Sequence, residues 1–266
     1  MSMNHQARKR FGQNFLVDQQ IIGQILSAIN PSADDNLIEI GPGMAAITEH
    51  LVKRCPCMSV LELDRDLVEF LQEKFVDNDG FSIHSGDALK IDFGQFYDGR
   101  QLRLVGNLPY NISTPLLFHL LNVRHLIADM HFMLQREVVD RLGAAPGTKS
   151  FGRLSVMIQY HCRVLPLIPV PPDAFRPAPK VQSAVVRLVP HKTMPWVADN
   201  EKLLSQVVSI AFQQRRKTLR NCLRPFTDHL DAVAHRIDLT RRPEQLAVKD
   251  FVELSNIINQ SLGESS

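Results

Sequence analysis

Short apolar runs at residues 36–40, 58–63, 81–83, 102–105 and 126–134 alternate with longer segments, and this alternation restricts the fold more than any other feature of the chain. Helices are predicted over 44–54 and 65–75 and from Ser113, where Pro115 falls in the first turn and its missing N–H costs little. Strands that recur with helices between them pair in parallel and need cover on both faces. An earlier helix is predicted after Asp18, an N-cap ahead of Ile21, Ile22, Ile25, Leu26 and Ile29 at helical spacing. A helix over 154–160 and two late strands, around 163–168 and 181–189, complete the pattern. The fold class expected is α/β, a Rossmann-like seven-stranded sheet. After Val189 the pattern turns helical, over 203–223, 228–236 and 251–262, with no further strands. This predicts two domains, a sheet domain at 1–192 and a small all-helical domain at 193–266.

Composition excludes some classes and favours others. Hydrophobic residues make up 44% and charged residues 22%, the balance of a soluble globular protein. No run approaches the roughly 18 apolar residues of a membrane span, and no apolar stretch follows the charged N-terminus as in a secretory signal. The four cysteines form no CxxC pair and no metal-ligand spacing with histidine, so reduced thiols in the cytoplasm are expected, with no metal. Charge is unevenly spread. Residues 131–192 hold nine Lys/Arg against three Asp/Glu, residues 213–220 hold four positive charges, and Arg8-Lys9-Arg10 adds three. Such runs are either solvated helix faces or a surface for a polyanion.

Ile38-Glu-Ile-Gly-Pro-Gly43 sets two glycines after a strand and before a helix. In doubly wound sheets ligands bind at the carboxyl ends of the strands, where Gly41 lets the chain turn sharply and a ligand approach closely. Glu62 ends the second strand, where a carboxylate can accept two ribose hydroxyls. Asp87, in Ser85-Gly-Asp-Ala88, ends the third, where it can accept from an adenine amine. Taken singly these read as a turn glycine, a surface acid and a helix-capping Asp. In register they describe one nucleoside ligand. The run Gly41-Pro-Gly-Met-Ala-Ala46 lacks the third glycine of a dinucleotide turn, which favours S-adenosylmethionine over NAD.

Asn107-Leu-Pro-Tyr110 follows the fourth strand. The lone pair of an adenine N6 is delocalised into the ring, so this nitrogen is a poor nucleophile. The Asn107 side-chain oxygen and the Leu108 carbonyl can accept its two N–H groups and free the lone pair toward a sulfonium methyl. Pro109 stiffens the turn, and Tyr110 offers a flat face to an extruded base. This chemistry works by positioning and hydrogen-bonded charge stabilisation and needs no metal.

With these residues the chain resembles the ribosomal RNA adenine N6,N6-dimethyltransferase family over nearly its whole length. The resemblance also rests on Lys9-Arg-Phe-Gly-Gln-Asn-Phe-Leu16, on Asn107-Leu-Pro-Tyr-Asn-Ile-Ser-Thr-Pro-Leu-Leu117, and on Pro172-Asp-Ala-Phe-Arg-Pro-Ala-Pro-Lys-Val-Gln-Ser-Ala-Val185. It implies a methyltransferase sheet and S-adenosylmethionine as methyl donor, leaving S-adenosylhomocysteine. Asn14 and Leu16 would close over the cofactor, Gly41, Gly43, Glu62, Asp87 and Asn107 would line its pocket, and Ala88 would flank the adenine. Tyr110 and Phe175 would sandwich the target base. Many members carry glycine where Ala45 stands, and one added methyl is expected to be tolerated. The small-subunit branch further implies dimethylation of two adjacent adenosines in a hairpin loop near the 3′ end of 16S ribosomal RNA, within a 30S precursor. Loop bases can be splayed out at low cost. Arg136, Arg153, Arg176, Lys180, Arg215, Arg216, Lys217 and Arg220 would then meet RNA phosphates, in a protein expected to be monomeric.

Three rivals compete. A large-subunit methylase of the macrolide-resistance type shares the chemistry, but Leu108 and the segment Phe175–Val185 favour the small-subunit branch. A ribosome-assembly checkpoint protein would bind without needing catalysis. An NAD-linked oxidoreductase lacks the pyrophosphate glycines.

Overall fold

The computed structural model describes residues 14–214 and 216–264. The run at residues 8–10, the start of the motif from Lys9 and Arg215, expected to meet a phosphate, lie outside the described residues. Packing divides the chain into two compact units. One comprises the described residues through Val139 with Leu165–Pro190; the other comprises Asp140–Val164 with the described residues from His191 onward. The expected division into 1–192 and 193–266 differs from this by two residues at the boundary and, more widely, over one segment. Asp140–Val164 groups with the helical unit, because its helix packs on helices of that unit and Gly147 N–H donates to the Glu244 carbonyl at 2.6 Å.

The first unit begins with β1 (Phe15–Leu16), α1 (Gln19–Ile29), β2 (Asn36–Ile40) and α2 (Thr48–Leu51). It continues through β3 (Ser59–Glu62), α3 (Arg65–Lys74), β4 (Ser82–Ser85), β5 (Leu102–Asn107), α4 (Ser113–Leu121) and β6 (Ile127–Gln135), followed by α5 (Arg136–Leu142). After α6 (Arg153–His161) come β7 (Cys162–Val170), β8 (Phe175–Arg176) and β9 (Ser183–Pro190). Seven strands form one sheet in the order β4-β3-β2-β5-β6-β9-β7. Pairings from β4 to β6 are parallel, and β9 runs antiparallel to β6. The chain leaves β2 toward β3 and β4, then returns to β5 on its other side. The strand order therefore reverses at β2, and such a reversal opens a crevice beyond the carboxyl ends of the strands.

Local chemistry explains most boundaries. Asp18 Oδ1 accepts the N–H groups of Gln20 and Ile21 at 2.8 and 3.0 Å, which caps α1 as expected. The helix expected over 44–54 contracts to Thr48–Leu51. Gly43 and Ala45 take φ of 57° and 65°, a left-handed conformation that a right-handed helix cannot include. For Ala45, fully buried there, this costs about 1–2 kcal/mol. At the opposite ends of the strands Arg103 ties α1 to the sheet. Its guanidinium donates to Asp129 at 3.0 Å, to Asp35 at 2.6 Å and to the Ile29 carbonyl at 2.7 Å.

β1 and β8 form a separate two-stranded ribbon, Leu16 opposite Phe175. Val17 N–H donates to the Ala174 carbonyl at 2.8 Å and extends this clasp. Leu16 and Phe175 join Ile22, Ile25, Leu37 and Val105 in the core, so the ribbon fastens the N-terminal segment to the sheet domain.

In the second unit α6 packs with α7 (Glu201–Ala211) and α10 (Val248–Glu264), alongside α8 (Leu219–Cys222) and α9 (Leu230–Ala234). The helix expected over 203–223 is broken between α7 and α8. Leu219 and Arg220 send their N–H groups to the carbonyls of Arg241 and Leu239, at 2.8 and 3.1 Å. The Phe212 ring lies 6.3 Å from Phe151 and 5.6 Å from Phe251, so the break turns an aromatic inward.

Candidate active site

A cavity of about 220 Å³ opens at the carboxyl ends of β2, β3 and β5 and in the loop after β4. Gly41, Gly43, Glu62, Asp87, Ala88 and Asn107 all line it, as do Asn14 and Leu16 at β1. So do Leu108, Pro109 and Tyr110 of the acceptor turn. The glycine turn, Glu62, Asp87 and the Asn107–Tyr110 turn, separate in the sequence, therefore share one space.

The glycine turn requires its residues. Gly41 has φ of 69° and sends its N–H to the Leu61 carbonyl at 2.9 Å. A Cβ on Gly43 would stand 3.2 Å from two carbons of the Phe15 ring, in a left-handed conformation that resists side chains. Glu62 joins this turn to β3. Its Oε1 accepts from the N–H groups of Leu63 and Asp64 at 2.8 and 2.9 Å, and Oε2 from Gly43 N–H at 3.3 Å. Burial pushes the Glu62 carboxyl up, against these three donors, which favour its ionised form. Each carboxylate oxygen has two lone pairs, so Oε2 keeps capacity for a ligand hydroxyl. Asp87 Oδ1 accepts from Leu89 N–H at 3.0 Å, and Oδ2 lies 3.9 Å from Lys90 Nζ.

Asn107 ends β5, its register fixed opposite Met133 of β6. Its Nδ2 donates to the Asn14 carbonyl at 3.1 Å, which commits the amide's other end, Oδ1, to accepting. Leu108 sends its N–H to the Met133 carbonyl at 3.2 Å and buries its side chain. The turn is further held by Ile112 N–H on the Pro109 carbonyl and Ser113 Oγ on the Tyr110 carbonyl, both at 3.1 Å. Two acceptors, Asn107 Oδ1 and a turn carbonyl, thus stand beside a half-buried aromatic ring.

Phe175 is not brought to this cavity. It is 1% exposed, held in the core by the β1–β8 ribbon, and does not line the pocket. Strand pairing points the Phe175 ring inward among the core residues, where it braces the segment carrying Asn14 and Phe15. Arg136, Arg176 and Lys180 of the first unit are at least partly exposed, as are Arg153, Arg216, Lys217 and Arg220 of the second.

Sequence reasoning missed three participants. Phe15 packs on Gly43. Gly106 carries a signal in the sequence, since glycine inside a strand marks close backbone approach; a Cβ there would collide with the Ile40 carbonyl oxygen on β2. Glu39 also lines the cavity. It is 2% exposed and accepts the Thr48 hydroxyl at 2.6 Å. Burial, more than the nearby Glu62 charge, raises its pKa from 4.5 to about 7. Among the described residues no three His, Cys, Asp or Glu are grouped to hold a metal, and no helix is long and apolar enough to cross a membrane.

Residues 4–260 match the family model for ribosomal RNA adenine dimethylase. Among curated relatives, the Ribosomal RNA small subunit methyltransferase A of Saccharophagus degradans is 58% identical over 255 residues, covering 96% of this chain and 95% of that protein. The protein of the same name from Pseudomonas putida is 56% identical, covering 95% of each chain. Two solved structures share the fold. A dimethyladenosine transferase from Plasmodium falciparum has a TM-score of 0.79 at 23% identity, covering 94% of this chain and 98% of that one. The 23S rRNA methyltransferase ErmE has a TM-score of 0.70 at 21% identity, covering 93% and 100%. With the family model spanning almost the whole chain, and relatives more than half identical along nearly their full length, this chain belongs to the ribosomal RNA adenine dimethylase family.

Proposed function

We propose that this chain transfers methyl groups from S-adenosylmethionine to N6 of two adjacent adenosines in a hairpin loop near the 3′ end of 16S ribosomal RNA, dimethylating each. The observation that carries this reading is Asn107. Its amide is oriented by the Asn14 carbonyl, which leaves Oδ1 as an acceptor in the cavity shared by the glycine turn and Glu62. The cofactor fits the residues present: Gly41 and Gly43 line the cavity without side chains, and Glu62 retains acceptor capacity for a ribose diol. When bound, S-adenosylmethionine supplies an electrophilic methyl on its sulfonium and leaves as S-adenosylhomocysteine. Asp87 and Ala88 would meet its adenine, and Asn14 and Leu16 would close over it. Asn107 Oδ1 and the Leu108 carbonyl would accept the N–H groups of the target adenine, two before the first transfer and one before the second, freeing the nitrogen lone pair. Each transfer would end with one N6 proton passing to solvent. The charge that develops on N6 meets preorganised acceptors rather than water. Tyr110 stacks the base.

The substrate is a 30S precursor, and the enzyme works as a cytoplasmic monomer. The side chains of Arg136, Arg153, Arg176, Lys180, Arg216, Lys217 and Arg220 meet RNA phosphates, with the helical unit assisting particle binding. The small-subunit methyltransferases more than half identical to this chain support this target over the large-subunit alternative. The test is to incubate the protein with tritiated S-adenosylmethionine and 30S particles from cells lacking the modification, then digest the RNA. N6,N6-dimethyladenosine at two adjacent positions of the small-subunit RNA is expected. Label in 50S particles or naked 23S RNA alone would move the chain to the large-subunit branch. No label anywhere, with cofactor binding intact, would leave a binding-only assembly factor.

A further inference from the structure

The segment Pro179-Lys-Val-Gln-Ser-Ala-Val185 contains a buried serine that the chemistry above leaves without a role. Ser183 opens β9, pairs with Gln135 of β6 and is 1% exposed. Its Oγ stands 2.8 Å from the Tyr110 hydroxyl, 73 residues away in the chain. Tyr110 is thus held at both ends. Its carbonyl accepts from Ser113 Oγ at 3.1 Å, and its ring tip meets Ser183. Tyr110 also lines the cavity. Stacking a base needs only the face of a ring, which phenylalanine would supply equally. A hydroxyl bonded to a buried serine adds nothing to the stacking area; it sets the direction of the ring.

We infer that Ser183 is a positioning residue for methyl transfer: by holding the Tyr110 hydroxyl it fixes the plane against which the acceptor base lies. The inference rests on the proposed role of Tyr110 in holding the base. Tyr110 hangs from a turn. The antiparallel pairing of β9 with β6 places Ser183 on the sheet and gives that turn a rigid anchor. Reacting atoms must meet within tight limits of distance and angle, so freedom returned to the ring lowers the rate of transfer more than the affinity for either substrate.

The experiment is single-turnover methylation of unmodified 30S particles by the wild-type chain, Ser183→Ala, Tyr110→Phe, the double variant and Ser183→Thr. Cofactor affinity and thermal midpoint are measured for each. Loss of one such hydrogen bond predicts a roughly five- to tenfold lower transfer rate for Ser183→Ala, with cofactor affinity unchanged. Tyr110→Phe removes the same bond from the other side and should fall as far. The double variant should equal Tyr110→Phe alone, and Ser183→Thr, which keeps a hydroxyl, should recover most of the rate. A merely structural serine would instead lower the rate again in the Tyr110→Phe background, and that result overturns the inference. Full activity of Ser183→Ala beside an active wild type overturns it too. A wild-type chain that labels no particle would bring down the reading of function, and this inference with it.

Discussion

Glu39→Gln should leave stability nearly unchanged near pH 4.5 and raise it above pH 7. Glu39 lies on β2 beneath the glycine turn, 2% exposed, with the Thr48 hydroxyl on Oε2 at 2.6 Å. The Glu62 carboxylate adds a second negative charge nearby. Burial therefore moves its pKa from 4.5 to about 7, with Thr48 opposing. Between those two values the native state holds a proton that the unfolded chain has released. Stability then falls as pH rises across that window and stays lowered above it. At roughly 1.4 kcal/mol per pH decade, the gap costs the native state about 3 kcal/mol by pH 8. Glutamine keeps a carbonyl to accept from Thr48 and carries no charge, so the variant escapes this loss. The assay is urea denaturation followed by circular dichroism, for both proteins, from pH 4.5 to pH 8.5. The difference between the two stabilities should open steadily between pH 5 and pH 7 and then level off. Parallel curves over that range would refute the reasoning, since they would mean that Glu39 ionises in the folded protein as it does in water.

The remaining expectations concern the site and its substrate. Asn107→Ala should still bind particles while transfer slows roughly a hundredfold or more, as loss of a preorganised hydrogen-bonding group does elsewhere; filter binding and tritium incorporation separate the two effects. Gly106→Ala should cost about 1–3 kcal/mol or more, because the new methyl meets the Ile40 main chain, which cannot swing aside. Since Asn107 is the next residue, its transfer rate should drop further than its thermal midpoint explains. Reversing charge at Arg216, Lys217 and Arg220 together should weaken particle binding. It should also flatten the slope of log affinity against log salt by roughly 0.7–0.9 for each phosphate left unneutralised; an unchanged slope places these side chains away from RNA.

Much of this architecture is legible along the chain because its causes are local. Five apolar runs predicted the five parallel strands, and each observed strand lies within a few residues of its run. Asp18 caps α1 with the atoms expected of it. That Gly41, Glu62, Asp87 and Asn107 would line one cavity was readable because each stands at or just beyond a strand end, and parallel strands bring their carboxyl ends to one edge. Other features have causes spread over distant residues. Phe15–Leu16 and Phe175–Arg176 are too short to show any period, yet their pairing buries Phe175 in the core. The helix expected through 212–218 is interrupted because residues 239–241 supply acceptors for the donors of α8. The segment Asp140–Val164 has helical and strand-like stretches in order, but only packing assigns it to the helical unit.

By itself the sequence determined which chemistry this protein carries: strand-ending glycines, two carboxylates and an Asn-Leu-Pro-Tyr turn at spacings that a parallel sheet converts into neighbours. Periodicity and residue type act over a few positions, and that range suffices to place each group at a strand end. Tertiary structure alone decided which atoms meet. Asn107 Nδ2 reaches a carbonyl 93 residues away, the Tyr110 hydroxyl reaches Ser183, and Glu39 is sealed beneath the turn until its charge becomes costly. Hydrogen bonds depend on tenths of an ångström, and burial depends on every element packed around a group. Neither can be read from the order of residues before the sheet has closed.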